Sequence, residues 1–340
     1  MFNISALKEL ISRPSRVVIV THFRPDADAL GSSLGLAGFL RQKGHEVRVI
    51  TPGDFPPFLS WMPGADEVLC VLRHHPKSQQ EAEGFIAAAD VIFCLDFNGL
   101  GRIESLGEPV GRSSAVKVMI DHHLEPEDFA QHRYWDVKAA STAQIIYRLI
   151  DELGEVSCVN ADVADCLYAG LMTDTGGFRH NNTHEQEFQV AAELVRHGAR
   201  PHAVAHHVYD SNTLNRLRLH GHVLCHKLVV LPEYHAAYMT LSSQEYIQFQ
   251  SQTGDTEGLV NSGLSVKGIR LSAFFQERDG EIRISLRSVG GFSVNEFARR
   301  HFNGGGHFNA AGGSSRESLD EVVARFISLL KVHQNELRQP

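Results

Sequence analysis

Basic residues are not in excess here: 32 lysines and arginines stand against 40 aspartates and glutamates, for a formal net charge of -8. That balance argues against a protein that coats long nucleic acid through a broad basic face. It leaves room for a small anionic substrate gripped by metals and a few arginines. No apolar run approaches the roughly 18 residues that a membrane span requires. The opening stretch, MFNISALKELISRPSR, lacks the basic start, continuous apolar run and cleavage site of a secretory signal. It is expected to form an amphipathic helix. Cysteine is sparse: Cys70, Cys94, Cys158, Cys166 and Cys225 are odd in number and widely scattered. They form neither a paired metal spacing nor a disulfide framework, so a reduced, cytoplasmic setting is expected. Internal repeats, low-complexity tracts and long charge runs are also missing. What remains is an ordinary globular composition, 43% hydrophobic and 21% charged, over 340 residues, enough for two domains. Histidine is abundant at 20 residues, so one in any given place carries little weight. His74–His75 and His206–His207 have no acids in ligand spacing and are expected to be solvated.

The chain is organised around VVIVTHFRPDADALGSSLGL, residues 17–36. Val17 to Val20 read as a short buried strand. The strand empties into a polar turn carrying His22, Asp26 and Asp28, stiffened by Pro25. A small-residue helix is expected from near Ala29 to near Gly44. Taken alone, the turn could be an ordinary acidic helix cap. It could also hold a divalent metal at the carboxyl edge of an α/β sheet, where ligands bind. HEVRVI (45–50) reads as a second strand, prolines 52, 56, 57 and 63 as a loop, and EVLCVL (67–72) as a further short strand. Val91 to Leu95 repeat the first layout, ending on Asp96. AVKVMIDHHLEP (115–126) does so again, ending on Asp121, His122 and His123. STAQIIYRLIDELG (141–154) reads as an amphipathic helix started by Ser141–Thr142.

These segments together resemble the DHH phosphoesterase superfamily. HFRPDADALGS matches its first motif, Asp96 its second, the DHH triplet at 121–123 its third, and LMTDTGGF with Asp174 its fourth. The resemblance implies two divalent ions, manganese best, with magnesium or cobalt as options. His22 and Asp26 would hold one, Asp28, His122 and Asp174 the other, and Asp96 would bridge them. A water between the metals would be the nucleophile, so neither serine nor cysteine is needed. His123 would bind or protonate the substrate phosphate, and Asp121 would orient the histidines. Charge supports this separately. Asp26, Asp28, Asp96 and Asp174 would repel one another if gathered without cations. Oxygen and imidazole donors without thiolate suit manganese or magnesium better than structural zinc.

Residues 182–212 read as helical and polar, and 213–228 as a connecting helix. LVVL (228–231) and YHAAYMTL (234–241) then open a second domain. GIRLSAFFQERDGEIRISLRS (268–288) reads as a hairpin turning at Asp279–Gly280. Phe274 or Phe275 could stack on a base, although adjacent strand residues face opposite ways and at least one belongs to a core. VNEFARRHF (294–302) reads as a short helix, followed by the loop NGGGHFNAAGG (303–313). Glycines 304–306 allow close backbone approach and can expose amides to an anion. With Arg287 and Ser288 just upstream, this segment resembles the DHHA1 domain. The resemblance then implies phosphate contacts from Arg287, Ser288, Gly305, Gly306 and His307.

The expected fold is α/β: a parallel-sheet DHH domain over 1–210, a helical linker over 211–228, and a smaller mixed DHHA1 domain over 229–340. The active site is expected in the cleft between them. The make-up resembles the nanoRNase and 3′-phosphoadenosine 5′-phosphate (pAp) phosphatase group, with short RNA or DNA oligonucleotides or small phosphonucleotides as partners and a homodimer as one option. A soluble phosphodiesterase of cyclic or linear dinucleotides is the alternative enzyme. A catalytically silent nucleotide sensor is the alternative of another class. The six filled ligand positions argue against the sensor.

Overall fold

The computed structural model describes residues 3–73, 75–278 and 280–338. His74 and Asp279, and with them part of the expected histidine pair and hairpin turn, lie outside the described residues. The chain divides into two compact units, Met1–Ser211 and Asn212–Pro340.

The first unit is built on a six-stranded, wholly parallel sheet: β1 (Arg16–Thr21), β2 (Glu46–Thr51), β3 (Leu69–Cys70), β4 (Val91–Leu95), β5 (Val116–Asp121) and β6 (His132–Trp135). The order is β3-β2-β1-β4-β5-β6. Both faces are covered, which is why these strands read as unbroken apolar runs. Val17, Ile19, Phe93 and Ile120 enter one core, whereas Val18, Val20, Ile92 and Cys94 enter the other. Successive strands are added toward one edge from β1 to β3 and toward the other from β4 to β6, so the order of addition switches between β1 and β4. The loops leaving these two strands therefore part and open a crevice at the carboxyl edge.

Helix Ala27–Gln42 starts two residues earlier than its composition suggests, because Asp26 itself caps it. Small residues let it lie close to helix Ala161–Asp174. A Cβ at Gly31 would run into the Cys166 carbonyl oxygen, and one at Gly35 would sit 2.6 Å from Leu167. The expected amphipathic helix is Thr142–Glu152, with the Ser141 hydroxyl accepting the Gln144 amide. The opening helix is Ile4–Leu10. Elements of the first unit not read from the sequence include helix Ala161–Asp174, edge strand β6 and helix Pro76–Ala88. The last of these has only Ser78, Ala82 and Ile86 buried. His206 is exposed, but His207 is half-buried and stacks on Trp61 at 4.8 Å, so it is not simply solvated.

The second unit carries a mixed sheet of β7 (Val229–Leu231), β8 (Ala236–Leu241), β9 (Leu271–Arg278), β10 (Glu281–Ser288), β11 (Gly305–Gly306) and β12 (Ala310–Ser315). Their order is β11-β12-β10-β9-β8-β7, and only β8 and β9 run parallel. Phe275 enters the core beneath helices Val294–His301 and Leu319–Val332, while Phe274 enters a cluster with Leu219, Met239 and Leu259. They are 4% and 0% exposed for Phe274 and Phe275 respectively, so neither is placed to stack on a base. The 303–313 stretch was expected to be a loop, yet it contributes β11 and part of β12. Glycine and alanine carry no strand periodicity, so this pairing could not be read from pattern.

Candidate metal centre

Every metal-ligand candidate of the first unit lies at or beside the carboxyl edge of the parallel sheet. Strand β1 delivers His22, β4 delivers Asp96, and β5 delivers Asp121, His122 and His123. Asp26 and Asp28 come from the first turn of helix Ala27–Gln42, and Asp174 ends helix Ala161–Asp174. Donor atoms of His22, Asp26 and Asp96 all lie within 4.8 Å of one another, as do those of Asp28, Asp96 and His122. Asp96 belongs to both groups. It holds a left-handed backbone conformation with φ of 61°, an uncommon state for a non-glycine residue and a recurrent one at functional sites.

His122 Nε2 stands 3.4 Å from Asp96 Oδ1, 3.4 Å from Asp174 Oδ2 and 3.8 Å from Asp28 Oδ2. Its Nδ1 lies 3.2 Å from the Ala139 carbonyl, an acceptor for a proton held on Nδ1, and the ring so placed turns Nε2 toward the carboxylates. His22 is set the same way, with Nδ1 3.0 Å from the Phe23 carbonyl and Nε2 3.5 Å from Asp96 Oδ2. His123 differs. Its Nδ1 faces Asp121 Oδ1 at 2.8 Å, and Trp135 donates its indole N–H to the His123 carbonyl at 2.7 Å. Asp121 is fully buried, and its Oδ2 has no hydrogen-bond partner among the described residues.

Sequence reasoning missed the groups that steady the carboxylates. The Thr142 and Ala143 amides donate to Asp28 at 2.7 and 2.9 Å, and the Thr142 hydroxyl donates to Asp96 Oδ1 at 2.9 Å. These are unpaired amides of a helix N-terminus, which favour a nearby anion. The Ser141–Thr142 cap signal marked the helix but not what its first turn faces. Gly170 is a second omission. A Cβ there would stand 2.6 Å from Asp28 Oδ1 and 2.8 Å from Ala143 Cβ.

Protonation shows the strain of gathering these groups. Burial, and then the Asp96 charge, push Asp28 well above the usual carboxylate range. Burial, and then Asp28, do the same to Asp174. For Asp96, burial is the largest influence and acts upward, yet hydrogen bonds from His122 and His22 hold the carboxyl well below its ordinary value. Burial lowers His122, but contact with Asp96 outweighs it and raises the imidazole well above its usual range. His22 is raised too, against burial, by its bond to Asp96, while the Arg102 charge opposes it. Without cations, the raised Asp28, Asp174, His122 and His22 favour retained protons, which offset part of the gathered negative charge. Divalent cations would replace those protons, and the oxygen-plus-imidazole donor set fits them.

In the second unit, Arg287 lies on β10 between Ser272 of β9 and Ala310 of β12, and donates to the Leu286 carbonyl at 3.0 Å. Ser288 is buried. Its hydroxyl donates to the Phe292 carbonyl at 2.7 Å and accepts from Asn309 at 2.8 Å, so it braces the loop. Gly305 pairs with Gly312, and Gly306 with Ala311. The Gly306 amide donates to Asn295 Oδ1 at 2.8 Å and is not an open anion donor. Here the glycines have a packing cause. A Cβ on Gly304 would strike the Gly312 carbonyl, and Gly306, at φ of 150°, would place one 2.5 Å from the Ala310 carbonyl oxygen. His307 is half-buried and closes the β11–β12 turn, its amide bonded to the Ala310 carbonyl at 2.7 Å.

A parallel sheet whose carboxyl edge gathers aspartates and histidines around one shared carboxylate defines a class: α/β proteins with a carboxylate–imidazole metal centre. Within that class, the sequence matches the DHH family, N-terminal domain, over residues 16–171 and the DHHA1 domain over residues 234–332. The bifunctional oligoribonuclease and PAP phosphatase NrnA of Bacillus subtilis (strain 168) is 31% identical over 327 residues, 95% of this chain and 97% of that protein. A crystallised exopolyphosphatase-related protein from Bacteroides fragilis is 40% identical with a TM-score of 0.92, covering 99% of this chain and 97% of the other. The cyclic-di-AMP phosphodiesterase PdeA of Listeria monocytogenes is 26% identical over 96% of this chain, which spans 49% of that protein. The chain belongs to the DHH/DHHA1 phosphoesterase family.

Proposed function

We propose that this protein is a divalent-metal-dependent phosphoesterase that hydrolyses short oligoribonucleotides and pAp to mononucleotides and phosphate. The observation that carries the reading is the shared Asp96: two ligand groups meet at one carboxylate, in a chain collinear with an oligoribonuclease and PAP phosphatase over nearly its whole length. One cation would take His22 and Asp26, the other Asp28, His122 and Asp174, with Asp96 common to both. Manganese suits the donors best. Bound there, the cations would supply an acidified water nucleophile and positive charge for the phosphoryl oxygens.

The chain's own residues do the rest. Thr142 and the amides of Thr142 and Ala143 hold Asp96 and Asp28 in place. Asp121 fixes His123 with its proton on Nδ1, so Nε2 is the nitrogen that meets a substrate oxygen and exchanges a proton with it. In the second unit, Arg287, His307 and the Gly305 backbone recognise phosphate, while Ser288 and Gly306 shape the loop that carries them.

The deciding assay offers pAp, a dinucleotide and a cyclic dinucleotide to the manganese-loaded protein, with and without chelator. Release of phosphate from pAp and of mononucleotide from the dinucleotide, both abolished by chelation, is expected. Turnover of the cyclic substrate alone would assign the PdeA-like activity instead. No turnover of any phosphoester would leave the sensor reading. Full activity in excess chelator would overturn the two-metal mechanism.

A further inference from the structure

The loop that follows β4 carries an arginine that is not among the metal-ligand or phosphate-binding candidates. Arg102 lies in the 3-10 segment Leu100–Leu106 and is half-buried. Its guanidinium makes no hydrogen bond or ion pair with any of the described residues. Its backbone is firmly held. The Arg102 carbonyl accepts the Phe23 amide at 2.9 Å, the Arg102 amide donates to the Gly99 carbonyl at 3.0 Å, and Ile103 beside it is fully buried in the core. Phe23 directly follows His22. Arg102 thus springs from the loop that begins with Asp96 and is tied through its backbone to the loop that begins with His22.

The neighbouring arginines are occupied. Arg73 forks onto Glu104 at 3.0 and 2.8 Å. Arg24 and Arg73 also lie over the Phe23 ring, at 5.0 and 5.3 Å from its centroid. Glu104, two residues past Arg102, has φ of 47° and ψ of -121°, a strained state that breaks the 3-10 segment there. A half-buried guanidinium loses hydration without a hydrogen bond in return, a cost that a bound anion would remove. Its charge reaches His22 of the centre, yet no carboxylate among the described residues bonds it, and cations bound at the centre would occupy the carboxylates there. The anion left is the substrate's, and a guanidinium fork matches phosphate oxygens.

We propose that Arg102 is a phosphate-binding group of the first unit, engaging a non-bridging oxygen of the substrate phosphate on the His22–Asp26–Asp96 side of the centre. This rests on the phosphoesterase reading and names the side chain that binds the substrate's charge there.

The test uses the full-length, manganese-loaded protein and the variants Arg102→Ala and Arg102→Lys. Metal content, thermal midpoint, kcat and KM are measured on pAp and on a dinucleotide. AMP binding is measured by calorimetry without turnover. Arg102→Ala is expected to keep its metal and its midpoint, to raise KM about 10- to 100-fold with a smaller change in kcat, and to weaken AMP binding by a similar factor. Arg102→Lys should recover part of both losses, because it restores charge without the fork. Unchanged KM and AMP affinity in Arg102→Ala would overturn the proposal. So would metal loss that accounts for the whole defect, which would make Arg102 a support of the centre. A wild-type protein that binds AMP through Arg102 yet turns over no phosphoester would sink the functional reading and leave this inference standing.

Discussion

His122 and His123 are adjacent in sequence and meet different company. His122 aims Nε2 at Asp28, Asp96 and Asp174, all within 3.8 Å, while the Ala139 carbonyl fixes its other nitrogen. His123 turns Nδ1 to Asp121 instead. His122→Ala should therefore lose a metal equivalent, whereas His123→Ala should keep both and lose mainly rate, on the order of 10²–10⁴-fold for a general acid. Metal content measured beside kcat decides this, and equal metal loss in both variants would show the roles misassigned. At this scale, acids and imidazoles placed just past apolar runs were legible because chemistry and position coincided. Thr142 and Gly170 were not, since a hydroxyl or a missing side chain has no pattern until the partner helix is in place. Ser288 and Gly306 show the converse. Their residue types suited phosphate binding, but the fold had already engaged the Ser288 hydroxyl and the Gly306 amide.

The elements that position the centre are the parallel strands and three helices packed at close quarters. Strands β1, β2, β4 and β5 were legible because burial on both faces leaves continuous β-branched runs. The edge strand β3 fell within the strand read over 67–72, but the edge strand β6 and the glycine-rich pair β11–β12 were not legible, because edges and small residues carry little periodicity. Gly170 marks where packing and chemistry touch. It lies on helix Ala161–Asp174, four residues before Asp174, and faces both Asp28 and Ala143. A Cβ at 2.6 Å from Asp28 Oδ1 cannot be accommodated unless that carboxylate or the helix moves. Gly170→Ala should destabilise the first unit by about 1–3 kcal/mol through overpacking, despite the gain in helix propensity. It should also lower metal affinity, because the displaced Asp28 loses its register with Thr142 and Ala143. Denaturant unfolding of the metal-free variant separates the first effect from a metal titration that reads the second. Wild-type values in both would show that the helices adjust freely.

For the whole molecule, the charge balance bears on which substrates are taken. Binding a long strand draws affinity from many lysine or arginine contacts to successive phosphates, and each contact steepens the fall of affinity with salt. This chain carries 40 acidic against 32 basic residues, and many of its arginines are engaged internally: Arg200 with Asp165, Arg148 with Asp136, Arg73 with Glu104, Arg325 with Glu317. The basic groups argued to meet substrate are few, Arg102 in the first unit and Arg287 in the second. Recognition by a metal centre and so few cations saturates after one or two phosphates, so added length brings no added affinity and only more repulsion from an acidic surface. Oligomers shorter than roughly five nucleotides should be the better substrates, since even one single-strand-binding fold covers about four or more. pAp, with two phosphates on one nucleoside, presents a similar charge in a smaller frame. The measurement compares kcat/KM for a dinucleotide, a trimer and a strand of about 24 nucleotides at two salt concentrations. Efficiency should fall with length, and the dinucleotide should show a shallow salt slope of about one or two released ions. Equal or better turnover of the long strand with a steep slope would mean that a basic track runs across the surface, and the enzyme would then be an exonuclease of long strands.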